Sequence, residues 1–402
     1  MNKILQTFLL GILTAVFFSA FIYFEEYHLT NKLINTLFGV SALALFLYIP
    51  KKSVLVAGFF IGLFWFYWIG YSFEYQGVGY MSPIITLLFC FIYLLFFLPL
   101  YFTNKPYVRA ILLFGLSFVE PFHWNWLQIE LLFVESYIGV YKYQLALTLL
   151  ALASPSLVAN KRYKCLPLLL LIGAINYGYP KQEDAPLKIK LVQTDIKQDY
   201  KWTRAAFYPT IKMVFKEIQK AKKEHYDLLV LPESVLPLYL NQAPKLIQKL
   251  QEKSMGISIV VGTLLKENNQ SYNVSYCFEN GKYSIAKKLV LVPFGEYIPL
   301  PKFAQKFINE TFFNGGSDFV TAKHPTDFTI KGVKFRNAIC YEATCQELYK
   351  GDVKYMIAIS NNAWFAPSVE PTIQNLLLKY YARKNGVTIY HAANYKGSGI
   401  IK

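Results

Sequence analysis

The sequence predicts two domains of different class: a polytopic α-helical membrane domain over residues 1–178 and an α/β domain over 179–402. Three observations carry this. The 402-residue chain has 54% hydrophobic residues and a mean hydropathy of +0.29, too apolar for an ordinary soluble enzyme. The excess lies before about residue 178, where Leu, Phe, Ile, Tyr and Val dominate. Beyond that point short β-rich runs alternate with helical patterns, the order expected of a layered α/β domain.

In the first half the apolar run from Ile4 to Phe24 is too long for a cleaved signal peptide, and no small-residue cleavage site follows it. Further spans are expected over 33–49, 53–71, 82–103, 110–127, 143–158 and 163–178, about seven helices in all. Several fall short of the ~20 residues of a perpendicular span. The loops on one side hold Lys3, Lys51, Lys52, Lys105, Arg109, Lys161, Arg162 and Lys164, those on the other only Lys32 and Lys142. Cationic loops stay cytoplasmic, so the N-terminus is expected inside and, with seven spans, the α/β domain outside. Glu120, Glu130 and Glu135 flank the stretch His123-Trp124-Asn125-Trp126-Leu127-Gln128. That stretch reads either as an interfacial aromatic belt or as a substrate contact at membrane depth.

The formal net charge is +16, and the part from Pro180 onward holds 31 Lys/Arg against 19 Asp/Glu. A basic domain beside a bilayer is drawn to anionic headgroups. Nucleic acid is excluded as a partner, because no basic run is interleaved with aromatics and the chain is tethered to a membrane. The cysteines Cys90, Cys165, Cys277, Cys340 and Cys345 have neither a disulfide framework nor zinc-site spacing. No metal or organic cofactor is expected.

After the polar connector 178–186, Leu187–Val192 reads as a strand. Ile211, Val214, Phe215 and Ile218 make the apolar face of a helix whose other face carries Lys212, Lys216 and Lys220. Leu228–Leu231 is a strand, Ala243–Lys253 a helix and Ile257–Gly262 a strand. Tyr272–Glu279 and Lys282–Val290, joined by Asn280-Gly281, predict a hairpin with a type I′ turn. The runs Ala338-Ile339 and Tyr355–Ile359, a helix over 371–384 and Val387–Ala392 complete the domain.

Polar chemistry collects where these runs stop. The first strand end delivers Glu233, the hairpin Lys288 with Glu296 after it, the next run Cys340-Tyr341-Glu342, and the last Ser360-Asn361-Asn362. A base, a cation and a thiol are the parts of a nucleophilic site. Taken singly, each reads equally as a strand-end ion pair or a small buried thiol. Spacing alone does not bring them together.

Four motifs do more. Leu-Pro-Glu-Ser at 231–234, Lys288 eight residues ahead of Glu296 in Lys-Leu-Val-Leu-Val-Pro-Phe-Gly-Glu, Ile-Cys-Tyr-Glu at 339–342 and Ser-Asn-Asn-Ala-Trp-Phe at 360–365 stand in one order. Together they resemble the apolipoprotein N-acyltransferases, the membrane-embedded bacterial branch of the nitrilase (carbon–nitrogen hydrolase) superfamily. The longer Val-Pro-Phe-Gly-Glu-Tyr-Ile-Pro is characteristic of that branch, and Trp-Leu-Gln at 126–128 and Lys201-Trp202 also resemble family positions. The resemblance implies an αββα sandwich on the periplasmic side of the bacterial inner membrane, with a Glu233–Lys288–Cys340 triad. Cys340 would take an acyl chain from a phospholipid as a thioester and pass it to the α-amine of an S-diacylglyceryl-cysteine lipoprotein. Glu233 would be the general base, and Lys288 with the Tyr341 backbone N–H would stabilise the oxyanion. Glu296, Tyr341 and Glu342 would support the site, and Trp202, Trp364, Trp126 and Asn361 would contact substrate.

The chain departs from the family pattern at Asn362, where Asp is usual, at Ala366, where Gly is usual, and in its closing residues before Lys402. The family's last strands and closing membrane span are accordingly expected to be absent. Two other readings are a membrane-tethered amidase or nitrilase-type hydrolase with water as acceptor, and a binding protein with a vestigial triad.

Overall fold

The computed structural model describes residues 2–293, 295–297 and 319–402. Phe294, Ile298 and Pro299 of the Val-Pro-Phe-Gly-Glu-Tyr-Ile-Pro motif lie outside the described residues. The chain divides into two compact units, Met1–Tyr179 with Ser368–Tyr380, and Pro180–Pro367 with Tyr381–Lys402.

The first unit is helical: α1 (Lys3–Glu26), α2 (Lys32–Tyr48), α3 (Lys51–Phe66), α4 (Ser82–Phe97), α5 (Pro106–Leu116), α6 (Lys142–Ala153) and the short α7 (Leu170–Ala174). Asn2 and Asn31 cap α1 and α2 by accepting from the N–H groups of the first turn. With the turns that extend α3 and α4, three helices among the described residues are long and apolar enough to cross a membrane: Lys3–Glu26, Lys51–Tyr75 and Gly79–Phe102. α2 and α5 are shorter apolar helices. Over 143–158 and 163–178 the helices are shorter than the hydropathy pattern suggests, because Pro155, Pro167 and the polar cluster around Asn160 interrupt the ladder.

Small residues set the closest crossing. A Cβ on Gly58 or Gly62 of α3 would stand 2.8 Å from the Tyr93 carbonyl oxygen or 2.7 Å from that of Phe89, both on α4. Helices in lipid gain their contact from such backbone approach. Arg109, fully buried, donates from Nη1 to the carbonyls of Phe46, Leu47 and Ile49 and from Nε to those of Leu100 and Thr103. It satisfies the carboxyl end of α2, whose last C=O groups have no helical partner. The three acidic residues near the Trp-rich stretch are all engaged: Glu130 with Lys142 at 2.6 Å, Glu135 with Lys379 at 2.9 Å, and Glu120 with the Gln128 amide at 3.4 Å. Trp126 is buried in an aromatic cluster with Trp68 and Trp124, at centroid distances of 5.3 and 5.2 Å.

Among the described residues the second unit is built on two five-stranded sheets. The first has the order β1 (Ile189–Leu191), β2 (Leu228–Val230), β3 (Ser258–Glu267), β4 (Gln270–Glu279) and β5 (Lys282–Lys287). β1, β2 and β3 run parallel, and β4 and β5 add antiparallel. The second sheet has the order β10 (Gly399–Ile401), β9 (Thr388–Asn394), β8 (Tyr355–Asn361), β7 (Val333–Ile339) and β6 (Asp327–Ile330), parallel through β7–β8–β9. Val230, Val260, Cys277 and Ala286 of the first sheet share one core with Phe335, Ile339, Ile357, Ile359 and Ala392 of the second. Two sheets face to face with side chains interdigitated between them make a sandwich.

Helices α8 (Gln198–Lys201), α9 (Arg204–Lys223) and α10 (Pro244–Lys253) follow β1 and β2, and α11 (Glu370–Asn385) connects the parallel pair β8 and β9. Val214 and Ile218 of α9 and Leu250 of α10 pack on the outer face of the first sheet against Leu229, Ile259, Val274 and Tyr276. Each fully buried side chain of this kind stabilises the layer by about 1.5–3 kcal/mol. The hairpin between β4 and β5 turns through Asn280 (φ 47°) and Gly281 (φ 76°), the two positive φ values of a type I′ turn. β6 and β7 form a second hairpin through Lys331 (φ 47°) and Gly332 (φ 80°).

Candidate active site

The parallel strands aim their carboxyl ends at one place. β2 runs through Leu231-Pro232 to Glu233, β7 ends at Ile339 just before Cys340, and β8 ends at Asn361. In register, Ile339 of β7 lies opposite Ile359, and Asn361 opposite Asn394 of β9. Cys340 opens a tight turn with φ +56°, a left-handed conformation that costs a non-glycine residue about 1–3 kcal/mol and persists where the surroundings enforce it. It is half-buried.

Lys288, one residue past β5, is 1% exposed. Its Nζ lies 2.8 Å from Oε1 and 2.7 Å from Oε2 of Glu296, and 3.9 Å from Oε1 of Glu233. Burial opposes its charge, but the carboxylates of Glu296 and then Glu233 outweigh burial and hold the lysine above its ordinary value. It is therefore a fixed cation. Glu296 also accepts from the Val292 N–H at 2.9 Å. Glu233 is held by a neutral group instead: Asn273 Nδ2 donates to its Oε1 at 2.7 Å. The two carboxylates thus differ in their surroundings: Glu296 is the nearer partner of the ammonium and Glu233 the nearer acceptor of the Asn273 amide, which reaches Glu296 at 3.4 Å.

Glu342 fastens the backbone on both sides of the site. Its Oε2 accepts from the N–H groups of Leu289 and Val290 at 2.7 and 3.1 Å, and its Oε1 from that of Ile339 at 2.7 Å. Burial raises its carboxyl to about 7, against the opposing pull of Lys288 and these three donors. Tyr341 is buried beside it. Lys201, at the end of α8, is 1% exposed and donates to the Glu233 carbonyl at 3.1 Å. Lys201 Nζ and Trp364 Nε1, which can only donate, lie 3.1 and 3.2 Å from one end of the Asn361 amide, and Asn394 Nδ2 lies 2.8 Å from the other. Trp202, next to Lys201, is 47% exposed.

Glu233, Lys288 and Glu296 are in contact, Glu342 braces the segments carrying Lys288 and Cys340, and Asn361 and Trp364 meet around Lys201. Trp126 belongs to the helical unit. Sequence reasoning does not find Asn273 or Gly262. A signal for the first exists: Ser271, Asn273 and Ser275 alternate with Tyr272, Val274 and Tyr276, and all are buried, so a polar stripe runs along the inner face of β4. A Cβ at Gly262 would stand 2.6 Å from Glu233 Cα, so the strand passes against the turn that carries the carboxylate. His391, buried, has Nε2 at 2.8 Å from Ser360 Oγ, and burial lowers it to about 4, which keeps it neutral.

Residues 188–400 match the carbon-nitrogen hydrolase family, which defines the class to which the sandwich and its strand-end cysteine belong. A carbon–nitrogen hydrolase superfamily protein from Xanthomonas campestris aligns over 52% of this chain and 76% of that one, with 14% identity and a TM-score of 0.40. Residues 5–177 match the integral membrane domain of apolipoprotein N-acyltransferase. An apolipoprotein N-acyltransferase from Wolinella succinogenes is 42% identical over 390 residues, 96% of this chain and 94% of that protein. One from Helicobacter pylori is 39% identical over 383 residues, 94% and 89% of the two chains. The chain belongs to the apolipoprotein N-acyltransferase family and is a membrane protein.

Proposed function

We infer that this protein is the N-acyltransferase of lipoprotein maturation, taking an acyl chain from a membrane phospholipid and placing it on the N-terminal α-amine of an S-diacylglyceryl-cysteine lipoprotein. The observation that carries the chemistry is the buried Lys288 between two carboxylates, only one of which it pairs with closely, at the strand ends that also present Cys340. In the first half-reaction Glu233 takes the thiol proton as the sulfur attacks the ester carbonyl. The C–S bond forms and the ester C–O bond breaks, and the proton on Glu233 goes to the departing lysophospholipid oxygen. In the second half the lipoprotein amine attacks the thioester, its proton passes to Glu233, and the C–S bond breaks to return the thiol. Lys288 and the Tyr341 N–H meet the oxyanion in each half. Glu296 keeps Lys288 charged, and Glu342 keeps the two loops in register. Trp202 and Trp364, with Trp126 in the helical unit and Asn361 at the strand end, are the substrate-contacting residues of this reading. The unequal Lys/Arg content of the loops supports an inside N-terminus and a catalytic unit on the periplasmic face of the bacterial cytoplasmic membrane.

The test uses the full chain in mixed micelles with a diacyl phospholipid of defined chain length, followed by intact mass. Wild type is expected to gain one acyl mass and Cys340→Ala none; an S-diacylglyceryl-cysteine peptide should then discharge the adduct and gain the acyl group. No adduct on wild type, or discharge to water at a rate the peptide does not change, sinks the reading.

A further inference from the structure

Among the described residues Lys201 is, besides Lys288, the buried lysine of this unit, and no step above uses it. Its stem is enclosed, and among the described residues its ammonium bonds only neutral partners, the Glu233 carbonyl at 3.1 Å and the Asn361 amide at 3.1 Å. Burying an ammonium without a carboxylate bonded to it costs several kcal/mol, and a neutral side chain could have bridged the same two acceptors. The charged and titratable groups acting on it are Glu233 and Cys340, from the ends of β2 and β7. Asn361 and Trp364, from the end of β8 and the turn after it, are neutral.

A charge count shows what this placement does. Glu233 and Glu296 bring two negative charges, and Lys288 brings one positive charge. With Lys201 these four groups sum to zero, and the sum is unchanged when the Cys340 proton passes to Glu233, because thiolate replaces carboxylate; Glu342, whose carboxyl burial raises to about 7, adds a negative charge above that pH. Without Lys201 the same groups sum to −1, to which Glu342 adds at higher pH, and that charge opposes the new anion.

We propose that Lys201 is a positioning residue for acyl transfer, tying the Glu233 turn to the Asn361 strand end and supplying the second positive charge under which Cys340 can ionise. This rests on the thioester reading of the site. Burial brings its proton loss down to about 8, so its charge can be switched off in an accessible pH range.

The experiment is single-turnover acylation of the full chain by a diacyl phospholipid in mixed micelles, read by intact mass from pH 5 to 10 without amine acceptor, for wild type, Lys201→Met and Lys201→Arg. Wild type should lose rate above a limb near 8. Lys201→Met should lack that limb and have its acid limb raised by about one pH unit or more, the usual effect of removing an adjacent opposite charge. Lys201→Arg, which stays charged, should keep the wild-type acid limb and hold its rate beyond the alkaline limb. If Lys201→Met keeps both limbs and slows uniformly, or if Lys201→Arg does not extend the plateau, the assignment is overturned. Should Lys201→Met not fold, the arginine variant alone decides. Wild type without any adduct removes the thioester reading itself and this inference with it, an outcome separate from a wild type that acylates with limbs indifferent to residue 201.

Discussion

Gly262→Ala tests whether the site depends on the contact between β3 and the Glu233 turn. An ideal Cβ at residue 262 would stand 2.6 Å from each of Glu233 Cα, the Pro232 carbonyl oxygen and the Ser234 nitrogen, where ordinary contact begins at 3.4 Å. The difference requires a shift of 0.8 Å. All three atoms are backbone, so no rotamer change relieves the clash. β3 is held between β2 and β4, and the Gly262 carbonyl accepts from the Leu236 N–H at 3.2 Å, so the turn rather than the strand gives way. A shift of that size breaks the 2.7 Å bond between Asn273 and Glu233 and moves the carboxylate away from the thiol it is proposed to deprotonate. Misplacement near 1 Å costs roughly 100-fold in rate. Overpacking costs about 1–3 kcal/mol in stability. The assay is single-turnover acylation by phospholipid with a thermal melt alongside. Gly115→Ala serves as the control, since nothing lies within 4 Å of its Cβ. A Gly262→Ala protein that acylates at the wild-type rate refutes the argument.

Three further outcomes follow. Glu233→Gln, which keeps the shape of the side chain and loses the base, should acylate about 100- to 10,000-fold more slowly with little change in melting; a rate near wild type rules Glu233 out as base. Arg109→Leu leaves the carbonyls at the end of α2 without a donor and should destabilise the chain by about 3 kcal/mol in a detergent melt, whereas an unchanged melt would show that the fork is dispensable. His391 takes its proton at about 4 in the native state and 6.5 when unfolded, so between those values the unfolded chain binds more protons and stability rises with pH. Glu342 takes its proton at about 7 when native and 4.5 when unfolded, so there stability falls with pH. The two slopes oppose each other from 4.5 to 6.5. His391→Gln should therefore expose a loss of about 3 kcal/mol between pH 4.5 and 7, and a flat melting profile in that variant contradicts it.

Much of this architecture is legible because it is local. Apolar runs that stop at Glu233, Cys340 and Asn361 are visible as strand ends, and Asn280-Gly281 announces its hairpin. The hairpin of β6 and β7 is not announced, because its turn uses Lys331 at a position where Asn or Asp is the usual signal, and because Lys334 and Arg336 make β7 look polar. Arg336 is buried by its pairing with Asp327 of β6, a partner no local window shows. Lys201 and Glu342 owe their places to backbone groups from distant segments: Glu342 bonds to amides of residues 289, 290 and 339, and Lys201 to a carbonyl of residue 233. Backbone donors and acceptors are the same at every residue, so sequence carries no mark of which will be used.

The pairing of Lys288 adds a physical ground for a distinction that the resemblance alone draws, between two glutamates of identical chemistry. Glu296 sits 2.7 Å from the ammonium and Glu233 3.9 Å. If Glu296 is the counter-ion and Glu233 the base, the two glutamine variants fail differently. Glu296→Gln leaves Glu233 as the carboxylate paired with Lys288, and the buried ammonium should close the 3.9 Å gap. A base drawn into an ion pair holds its proton less tightly and takes one less readily. The acid limb of acylation should then move to lower pH while the plateau rate falls. Glu233→Gln lowers the plateau without that displacement, because the titrating group is gone. An acid limb that stays in place or rises in Glu296→Gln would assign the two carboxylates the other way round.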